Sequence, residues 1–294
     1  MMHRCIDQLR EKAEVVSLCR VLGVSRSGYY AARARAQQRP RPCPVAAHLQ
    51  AAFTASGHAY GSRRLQVALR TQGVTVGRHR VRTVMRQQGL RPVWKRAFVV
   101  TTDSAHTLPV APNILDRQFQ PAACNRAWAA DITYIPTRSG WLYLAVVLDL
   151  FSRKVVGYAM ASRMQSNLVC SALRMAIGQR QPPAGLIVHT DQGSQYASTA
   201  HRNLLERHRL EASMSRRGNC WENAVAERFF LNLKTERVWQ RDYANHGEAT
   251  RDIADYIVGF YNTVRIHSTL GYLPPTAYER TMAAKQPIDV SEKT

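Results

Sequence analysis

Three acidic side chains in the second half of the chain have the residue type and the surroundings that metal-dependent phosphoryl transfer requires. Asp131 interrupts an apolar run that reads as a strand, Asp191 follows a short buried strand, and Glu227 lies on a predicted helix. Two divalent ions about 3.5–4 Å apart assist such transfer, and a few converging carboxylates can hold them. Mg²⁺ prefers oxygen ligands, and carboxylates crowded together without a cation repel one another. The three acids are therefore candidate metal ligands and catalytic residues.

Each acid also has a structural interpretation, and these alternatives stay open at this point. Asp131 could be a strand residue satisfied by backbone amides, Asp191 the first residue of an Asx turn, and Glu227 a solvated helix residue. Two other acids compete for a place in the site. Glu222 lies away from the polar face of the predicted helix, and Asp149 resembles a turn residue.

The predicted helix over residues 220–239 separates apolar from polar side chains. With about 100° per residue, its apolar face carries Trp221, Val225, Phe229 and Leu233. The opposite face carries Asn223, Glu227 and Lys234. Lys234, two turns beyond Glu227, is a candidate contact for the DNA backbone, as are Asn219 and Asn223 near the start of the helix. Phe230 lies nearer the polar side, which indicates either a second packing surface or a contact with a base.

The charge of the chain points to nucleic acid as its partner. The 294 residues include 41 Lys and Arg but only 20 Asp and Glu, a net charge of +21. No acidic residue occurs between Glu14 and Asp103, so the excess is concentrated in the N-terminal third. A surface of this kind attracts polyanions through a salt-dependent interaction. Basic ribosomal and membrane-surface proteins share the property, so charge alone does not identify the chemistry.

Two pairs of short helices are predicted in this basic region. In the first pair, over residues 15–30, Gly23 suits a positive φ at a helix end and Ser25 can cap the next helix. The second pair covers residues 45–91, with a glycine-rich turn between its helices. Both fit a helix-turn-helix, although a plain helical hairpin fits the first equally well. The second pair offers these candidate DNA contacts: Arg63, Arg64, Arg78, Arg80, Arg82 and Arg86.

From about residue 126 the pattern becomes strand-rich. Three apolar runs separated by turns, at 128–135, 141–149 and 154–161, predict an antiparallel meander. A helix (166–178), a buried strand (186–190), a helix before Arg209, and helices at 220–239 and 248–264 follow. This order predicts an α/β fold, a mixed sheet flanked by helices that is compatible with a ribonuclease-H-like fold, preceded by all-α helix-turn-helix modules. The predicted divisions are 1–44 (first module and linker), 45–100 (second module), 101–123 (linker), 124–284 (catalytic core) and 285–294 (tail).

The remaining composition narrows the class of protein. The six cysteines form no CxxC pair and no cluster with zinc-ligand spacing, so reduced thiols are expected. No apolar run is long enough to cross a bilayer, and no secretory signal is present. A soluble cytoplasmic protein directed at DNA is the expectation.

Local motifs around the three acids resemble a known family. Thirty-five residues separate Asp191 from Glu227, and Lys234 follows seven positions later. This resembles the DD(35)E pattern of retroviral integrases and insertion-sequence transposases. The segments Ala-Asp-Ile-Thr-Tyr (130–134), His-Thr-Asp-Gln-Gly-Ser-Gln-Tyr (189–196), Ser-Arg-Arg-Gly-Asn-Cys-Trp-Glu-Asn-Ala (215–224) and Tyr-Asn-Thr-Val-Arg-Ile-His-Ser-Thr-Leu-Gly-Tyr (261–272) carry the closer likeness. Over nearly the whole chain the sequence resembles the second-reading-frame transposases of the third insertion-sequence family.

The resemblance implies an integrase-like catalytic core, two Mg²⁺ or Mn²⁺ ions held by Asp131, Asp191 and Glu227, 3′-end cleavage by water, and strand transfer by the freed 3′-hydroxyl. It also implies double-stranded DNA (element ends and target) as partner, a multimer on that DNA, and a longer frameshift fusion as the active form. Many relatives have Tyr-Asp where this chain has Trp221-Glu222, and Ser where it has Arg228. These departures concern local DNA contacts rather than the predicted ligands.

Two other functions compete with transposition. A DNA-binding regulator with a silent core would keep the basic modules but would not require three converging carboxylates. A ribonuclease-H-like nuclease would share the chemistry and produce nicked rather than joined DNA. Asp131 is placed by its strand and local motif alone, because no fixed spacing ties it to the other two acids.

Overall fold

The computed structural model describes residues 2–37, 43–93, 109–216 and 223–285. The sequence predictions made for Asn219, Trp221 and Glu222, for parts of both linkers, and for the tail beyond 285 lie outside these ranges. By its internal contacts the chain divides into two compact units between Ala47 and His48. None of the described helices is long and apolar enough to span a membrane.

The first unit is a small helical module. Its helices are α1 (Met2–Leu9), α2 (Val15–Val21) and α3 (Arg26–Gln37). Gly23 has φ +64°, and the Ser25 hydroxyl accepts a hydrogen bond from the N–H of Gly28 at 3.1 Å, so both predicted turn features are confirmed. The sequence prediction missed α1. This helix is held by Ile6, which is buried with Cys19 and Tyr29.

A second helical module opens the larger unit. It consists of α4 (Pro44–Ala55), α5 (Ser62–Thr71) and α6 (Arg78–Gln87). Leu65 and Leu69 on α5 and Val81, Val84 and Met85 on α6 are buried, as their helical spacing predicted. The apolar residues of α6 lie on one side, which leaves its arginines toward solvent.

A five-stranded mixed sheet forms the core of this unit. Its order is β3-β2-β1-β4-β5, with the first three strands antiparallel and β4 and β5 parallel to β1. The strand bounds are β1 (Ala127–Thr137), β2 (Gly140–Asp149), β3 (Val155–Ala161), β4 (Ile187–Thr190) and β5 (Glu211–Met214). The predicted meander and mixed sheet are confirmed. The short edge strand β5 was missed, because its sequence Glu-Ala-Ser-Met lacks the apolar run that indicated the equally short β4.

Helices cover both faces of the sheet. One face packs against α7 (Ser166–Arg180) and α8 (Thr199–Arg207), and the other against α9 (Ala224–Glu236) and α10 (His246–Asp255). Helix α7 lies close to β3 because Gly157 has no side chain. A Cβ there would collide with the backbone of α7 at Ala172 and Ala176.

The C-terminal elements differ from the sequence prediction in two respects. The helix expected at 248–264 is α10 followed by a π-helical turn, Tyr256–Tyr261, whose wider winding brings Tyr256, Ile257 and Tyr261 together into the core. A last helix, α11 (Pro275–Ala283), was not predicted. Asn262 pairs with an edge of the sheet, since its side-chain amide exchanges two hydrogen bonds of 3.0 Å with the Val155 backbone.

Candidate functional site

The strand register brings Asp131 and Asp191 side by side. Strands β1 and β4 run parallel with Ala129 opposite His189, and two further residues along each strand lead to Asp131 and Asp191. Side chains alternate along strands, so the two acids lie on the face that Ala129 and His189 share. Asp131 is also paired with Val146 of β2, which belongs to the core under α9. Both acids therefore face the α9 side of the sheet.

The sheet is incomplete just beyond these acids. Strand β4 ends at Thr190, whereas β1 continues to Thr137 and keeps only β2 as its neighbour. Asp191 is thus the first residue of a turn, and its carboxylate accepts the N–H of Gly193 at 3.0 Å. The Asx-turn interpretation of Asp191 is therefore realised in addition to its place beside Asp131. A cleft at the carboxyl end of a parallel pair is a usual location for ligands in open α/β sheets.

Helix α9 brings the third acid to this edge. It begins at Ala224, so Glu227 lies in its first turn, where the helix dipole favours a negative charge. Ala226, Phe229, Phe230 and Leu233 are buried in the core under the sheet. Phe230 therefore provides a second packing surface, with its ring 5.6 Å from that of Phe229. Because that side is anchored, Glu227 is exposed towards solvent.

The electrostatics of Asp131 show that the charged groups are close to one another. Burial and the neighbouring charge of Asp191 raise the pKa of Asp131 well above its usual range, and Glu227 adds to the rise. The Ile132 N–H, which donates to the Asp131 carboxylate at 2.7 Å, and the Lys234 ammonium oppose it. Partial burial also raises the pKa of Glu227. Like charges held together in this way favour binding of a cation.

Lys234 lies two helical turns after Glu227, beside the same strand. Its ammonium is 4.6 Å from the centre of the Tyr134 ring, a cation–π contact. Burial lowers the pKa of Lys234, and the charge of Asp131 counteracts this. Glu227 and Lys234, which were predicted to lie on one side of the helix, both affect the pKa of Asp131: Glu227 raises it and Lys234 lowers it.

Tyr196 belongs to this site, although sequence reasoning gave it no role. The residue is 2% exposed, and its hydroxyl has no hydrogen-bond partner among the described residues. Burial first, then the charges of Asp131 and Asp191, raise the pKa of Tyr196 well above its usual range. The only signal in the sequence was its place five residues after Asp191, within a motif already quoted for the family resemblance.

A second group of possible metal ligands lies close together, but neighbouring cations neutralise its negative charge. Among the described residues, Cys124, Asp149 and Glu279 have ligand atoms all within 4.8 Å of one another, a closer grouping than that of Asp131, Asp191 and Glu227. Arg180 donates to both oxygens of Glu279 at 2.8 and 3.1 Å, and Lys154 lies 3.1 Å from the same carboxylate. The cations already present neutralise this group, so it is structural. A pair of ions needs a wider set of ligands than one ion does.

Asp149 has the turn role that its sequence context indicated. Its carboxylate accepts the backbone N–H groups of Asn125, Phe151 and Ser152 at 2.8, 2.9 and 3.2 Å. The side chain is buried and stabilises the turn between β2 and β3. It does not join the proposed trio.

The candidate DNA-binding residues divide into three groups. Exposed arginines of the second helical module are Arg63, Arg78, Arg80, Arg82 and Arg86. Arg64 differs, because its guanidinium is half-buried 5.6 Å above the Tyr60 ring and feels the charges of Arg265 and Glu236. Arg64 therefore also packs within this module, and its contact with DNA stays a prediction. Asn223 is buried at the start of α9, and Asn219 lies outside the described residues.

A buried ion pair connects α9 to the C-terminal motif that carries the family resemblance. Arg265 is 1% exposed and donates three hydrogen bonds of 2.7–3.0 Å to Glu236, the last residue of α9. The Tyr256 hydroxyl donates to the same carboxylate at 2.7 Å. The next residue, Ile266, donates its N–H to the Tyr60 hydroxyl of the second helical module at 3.0 Å. This motif thus holds the helical module and α9 together.

Comparisons with known proteins first identify the class. Residues 121–220 and 208–275 match family models described as Integrase core domain, and residues 45–98 match an HTH-like domain. The mixed sheet with helices on both faces agrees with this class, a polynucleotidyl transferase built on an integrase core.

Similar proteins then identify the family. The chain is 40% identical over 280 residues to the transposase InsF for insertion sequence IS3A of Escherichia coli (strain K12), covering 93% of this chain and 96% of that protein. It is 43% identical over 268 residues to an uncharacterized 31 kDa protein of insertion element IS600 of Shigella sonnei, covering 89% of this chain and 97% of the relative. The chain belongs to the transposases of the IS3 family.

Solved structures are more distant. A simian T-cell lymphotropic virus intasome in complex with the PP2A regulatory subunit B56 gamma matches with a TM-score of 0.47 and 18% identity, over 73% of this chain and 70% of that one. The HTLV-2 integrase catalytic core domain in complex with magnesium matches with a TM-score of 0.43 and 17% identity, over 54% and 99%.

Proposed function

We propose that Asp131, Asp191 and Glu227 form the catalytic site of this transposase and hold two divalent metal ions, Mg²⁺ or Mn²⁺. The parallel register that sets Asp131 beside Asp191 carries the proposal. The residues fit such ions, because the donors are carboxylate oxygens, the ligands that Mg²⁺ prefers. Burial and repulsion from Asp191 and Glu227 raise the pKa of Asp131, and a bound cation would relieve that repulsion. When bound, the two ions stabilise the attacking and leaving oxygens during phosphoryl transfer.

The side chains around the trio would bind and orient DNA. Glu227 is exposed at the start of α9, so the ions that it would help to hold are open to a phosphate of an approaching DNA strand. The half-buried Lys234 holds its ammonium near Asp131, where it binds a phosphate oxygen of the strand being cut. The buried face of α9 keeps Glu227 and Lys234 at a fixed position relative to each other. Groups that are already in position lower the barrier to reaction, because they need not be ordered during it.

Two successive reactions follow from one such site. Water attacks a phosphorus at the end of the element, the bond to the 3′ oxygen breaks, and a free 3′-hydroxyl results. That hydroxyl then attacks a phosphorus of target DNA, forming one P–O bond as another breaks. Two element ends must be processed together, so we propose that the protein acts as a multimer on double-stranded DNA, with the exposed arginines of α6 contacting the ends.

The test uses conservative variants with matched controls. Asp191→Asn and Glu227→Gln are expected to abolish cleavage and strand transfer on labelled element-end DNA while leaving affinity for that DNA within about twofold. Asp116→Asn and Glu206→Gln make the same changes at exposed positions and should retain activity. Joining at the parental rate by either site variant would refute the assignment.

The competing functions give different products in the same assay. A DNA-binding regulator would bind the end without metal-dependent cleavage, whereas a simple nuclease would leave nicked ends that never join. Footprinting on the DNA that flanks the encoding gene identifies the bound sequence. The joined product then separates a transposase from both alternatives.

A further inference from the structure

An aromatic pair lies at the open end of the sheet, close to the proposed catalytic site. Tyr134 of β1 and Trp141 of β2 pack edge to face with ring centres 4.8 Å apart. Trp141 is 51% exposed, a large apolar surface to leave in water. In the register of the hairpin Trp141 faces Pro136, so both rings lie on the side of the sheet opposite Asp131.

The incomplete edge of β1 connects this pair to the catalytic side. Strand β4 ends before it can cover residues 132–137, and Lys234 of α9 reaches past that edge to the Tyr134 ring. The same ammonium influences Asp131. Tyr134 is three residues beyond Asp131, roughly 10 Å along the strand. Trp141, opposite Pro136, is five residues beyond Asp131, roughly 17 Å along the strand and on the other face. A DNA strand whose phosphate lies at the acids therefore reaches the rings by passing around the open edge of β1, beside Lys234.

The chemistry of the pair fits one occupant. Aromatic side chains stack on nucleobases of any identity, and a neighbouring cation holds the phosphate of the same strand. In a duplex the base faces are already stacked, so the rings can accept only a base that has left its pair. The net charge of +21 and the membership in a transposase family make DNA the polyanion at hand.

We propose that Trp141, supported by Tyr134, binds an unpaired nucleobase of the DNA strand next to the catalytic acids. Lys234 supplies the phosphate contact beside this base. The site would favour DNA whose end is frayed or opened over intact duplex. This binding does not depend on the metal ligands, so it can be measured without catalysis.

The test compares single-stranded and duplex DNA without divalent metal. The probes are a short oligodeoxythymidine and a blunt duplex with the same number of phosphates, at one fixed salt concentration. Trp141→Ala is expected to weaken binding of the single strand by between about fivefold and a hundredfold, the range for loss of one stacked base. Duplex binding should change less than twofold. Trp141→Phe keeps a ring and should fall between wild type and Trp141→Ala.

A spectroscopic readout and a control separate stacking from misfolding. A 2-aminopurine in the single strand should be quenched by wild type and not by Trp141→Ala, while Val264→Ala, another exposed apolar truncation, should behave as wild type. The proposal is overturned if Trp141→Ala binds the single strand as tightly as wild type, or if it loses the same affinity for both probes. It is also overturned if the variant changes oligomeric state while single-strand binding is intact, because the rings would then contact a second copy of the chain. Both binding measurements are made without divalent metal and without cleavage, so failure of the catalytic proposal would not affect this result.

Discussion

Replacing Asp131 by asparagine should stabilise the metal-free protein, because the buried carboxylate is repelled by Asp191 and Glu227. Its pKa is raised in the folded state, so the folded protein holds the proton more tightly than the unfolded chain. The free energy of unfolding therefore falls as pH rises from the unfolded pKa, about 3.9, to the folded pKa, and stays low above it. The advantage of Asp131→Asn is thus largest at neutral pH and disappears below about pH 4.

The structure sets the size of this effect. The asparagine oxygen can still accept the Ile132 N–H, so the hydrogen bond is kept while the charge repulsion is lost. Relief of one partly buried, unpaired charge contributes on the order of 1–2 kcal/mol. For a domain of this size that corresponds to a rise in Tm of roughly 2–8 °C. In wild type, Mg²⁺ at a hundred times its Kd should add about 2.7 kcal/mol, and Asp131→Asn should lose most of that gain.

Denaturant unfolding at pH 7.5 and pH 4, with and without Mg²⁺, measures both quantities. Fluorescence of Trp128, which is buried in the same strand, contributes to the signal. Asp149→Asn is the matched control with the opposite sign, because an amide donor would then face backbone N–H groups that the carboxylate accepts. The reasoning about the charge cluster is refuted if Asp131→Asn destabilises the metal-free protein at pH 7.5, or if Mg²⁺ stabilises wild type and the variant equally.

Three further predictions concern the groups around the site. Arg265→Met should destabilise by about 3–5 kcal/mol in denaturant unfolding, since it leaves Glu236 buried without its partner; a double variant with Glu236→Leu that is no more stable than Arg265→Met would contradict this. Burial lowers the pKa of His201 to about 4. The free energy of unfolding should therefore fall by on the order of 3 kcal/mol as the pH drops from above 6.5 to 4. His201→Phe should remove most of this dependence on pH, and a variant with the same dependence as wild type would contradict the prediction. Arg82→Ala should reduce the slope of log affinity against log salt for duplex DNA by about 0.9, and an unaltered slope would exclude a phosphate contact.

The long strands and helices could be predicted from the sequence, because apolar residues recur along each of them at the spacing typical of its type. The apolar runs of β1, β2 and β3 indicate strands covered on both faces, and the stripe of α9 specifies which side of that helix is buried. The same patterning placed Lys234 near Glu227. The four residues of β5 are too few to show a period and form no apolar run, whereas the equally short β4 was indicated by its apolar residues.

Two assignments depended on packing that no local pattern carries. Arg64 looked like its exposed neighbours, but its guanidinium is half-buried over the ring of Tyr60, whose hydroxyl accepts the Ile266 N–H. Tyr196 stood in the motif after Asp191 with no role attached to it, and only the turn after β4 brought its hydroxyl near the two aspartates.

The sequence by itself determined the family, the kinds of side chain at the proposed site and the interval between Asp191 and Glu227. Chemistry and periodicity are local properties, so they can be read along one dimension. The tertiary structure decided that Asp131 lies beside Asp191, because a parallel register pairs Ala127 with Ile187, 60 positions further along the chain. It also decided that β1 extends beyond the end of β4. One edge of β1 is therefore left without a neighbouring strand, and Lys234, Tyr134 and the acids lie along that edge. Such pairings depend on which strands become neighbours, and that is settled only when the whole core is buried.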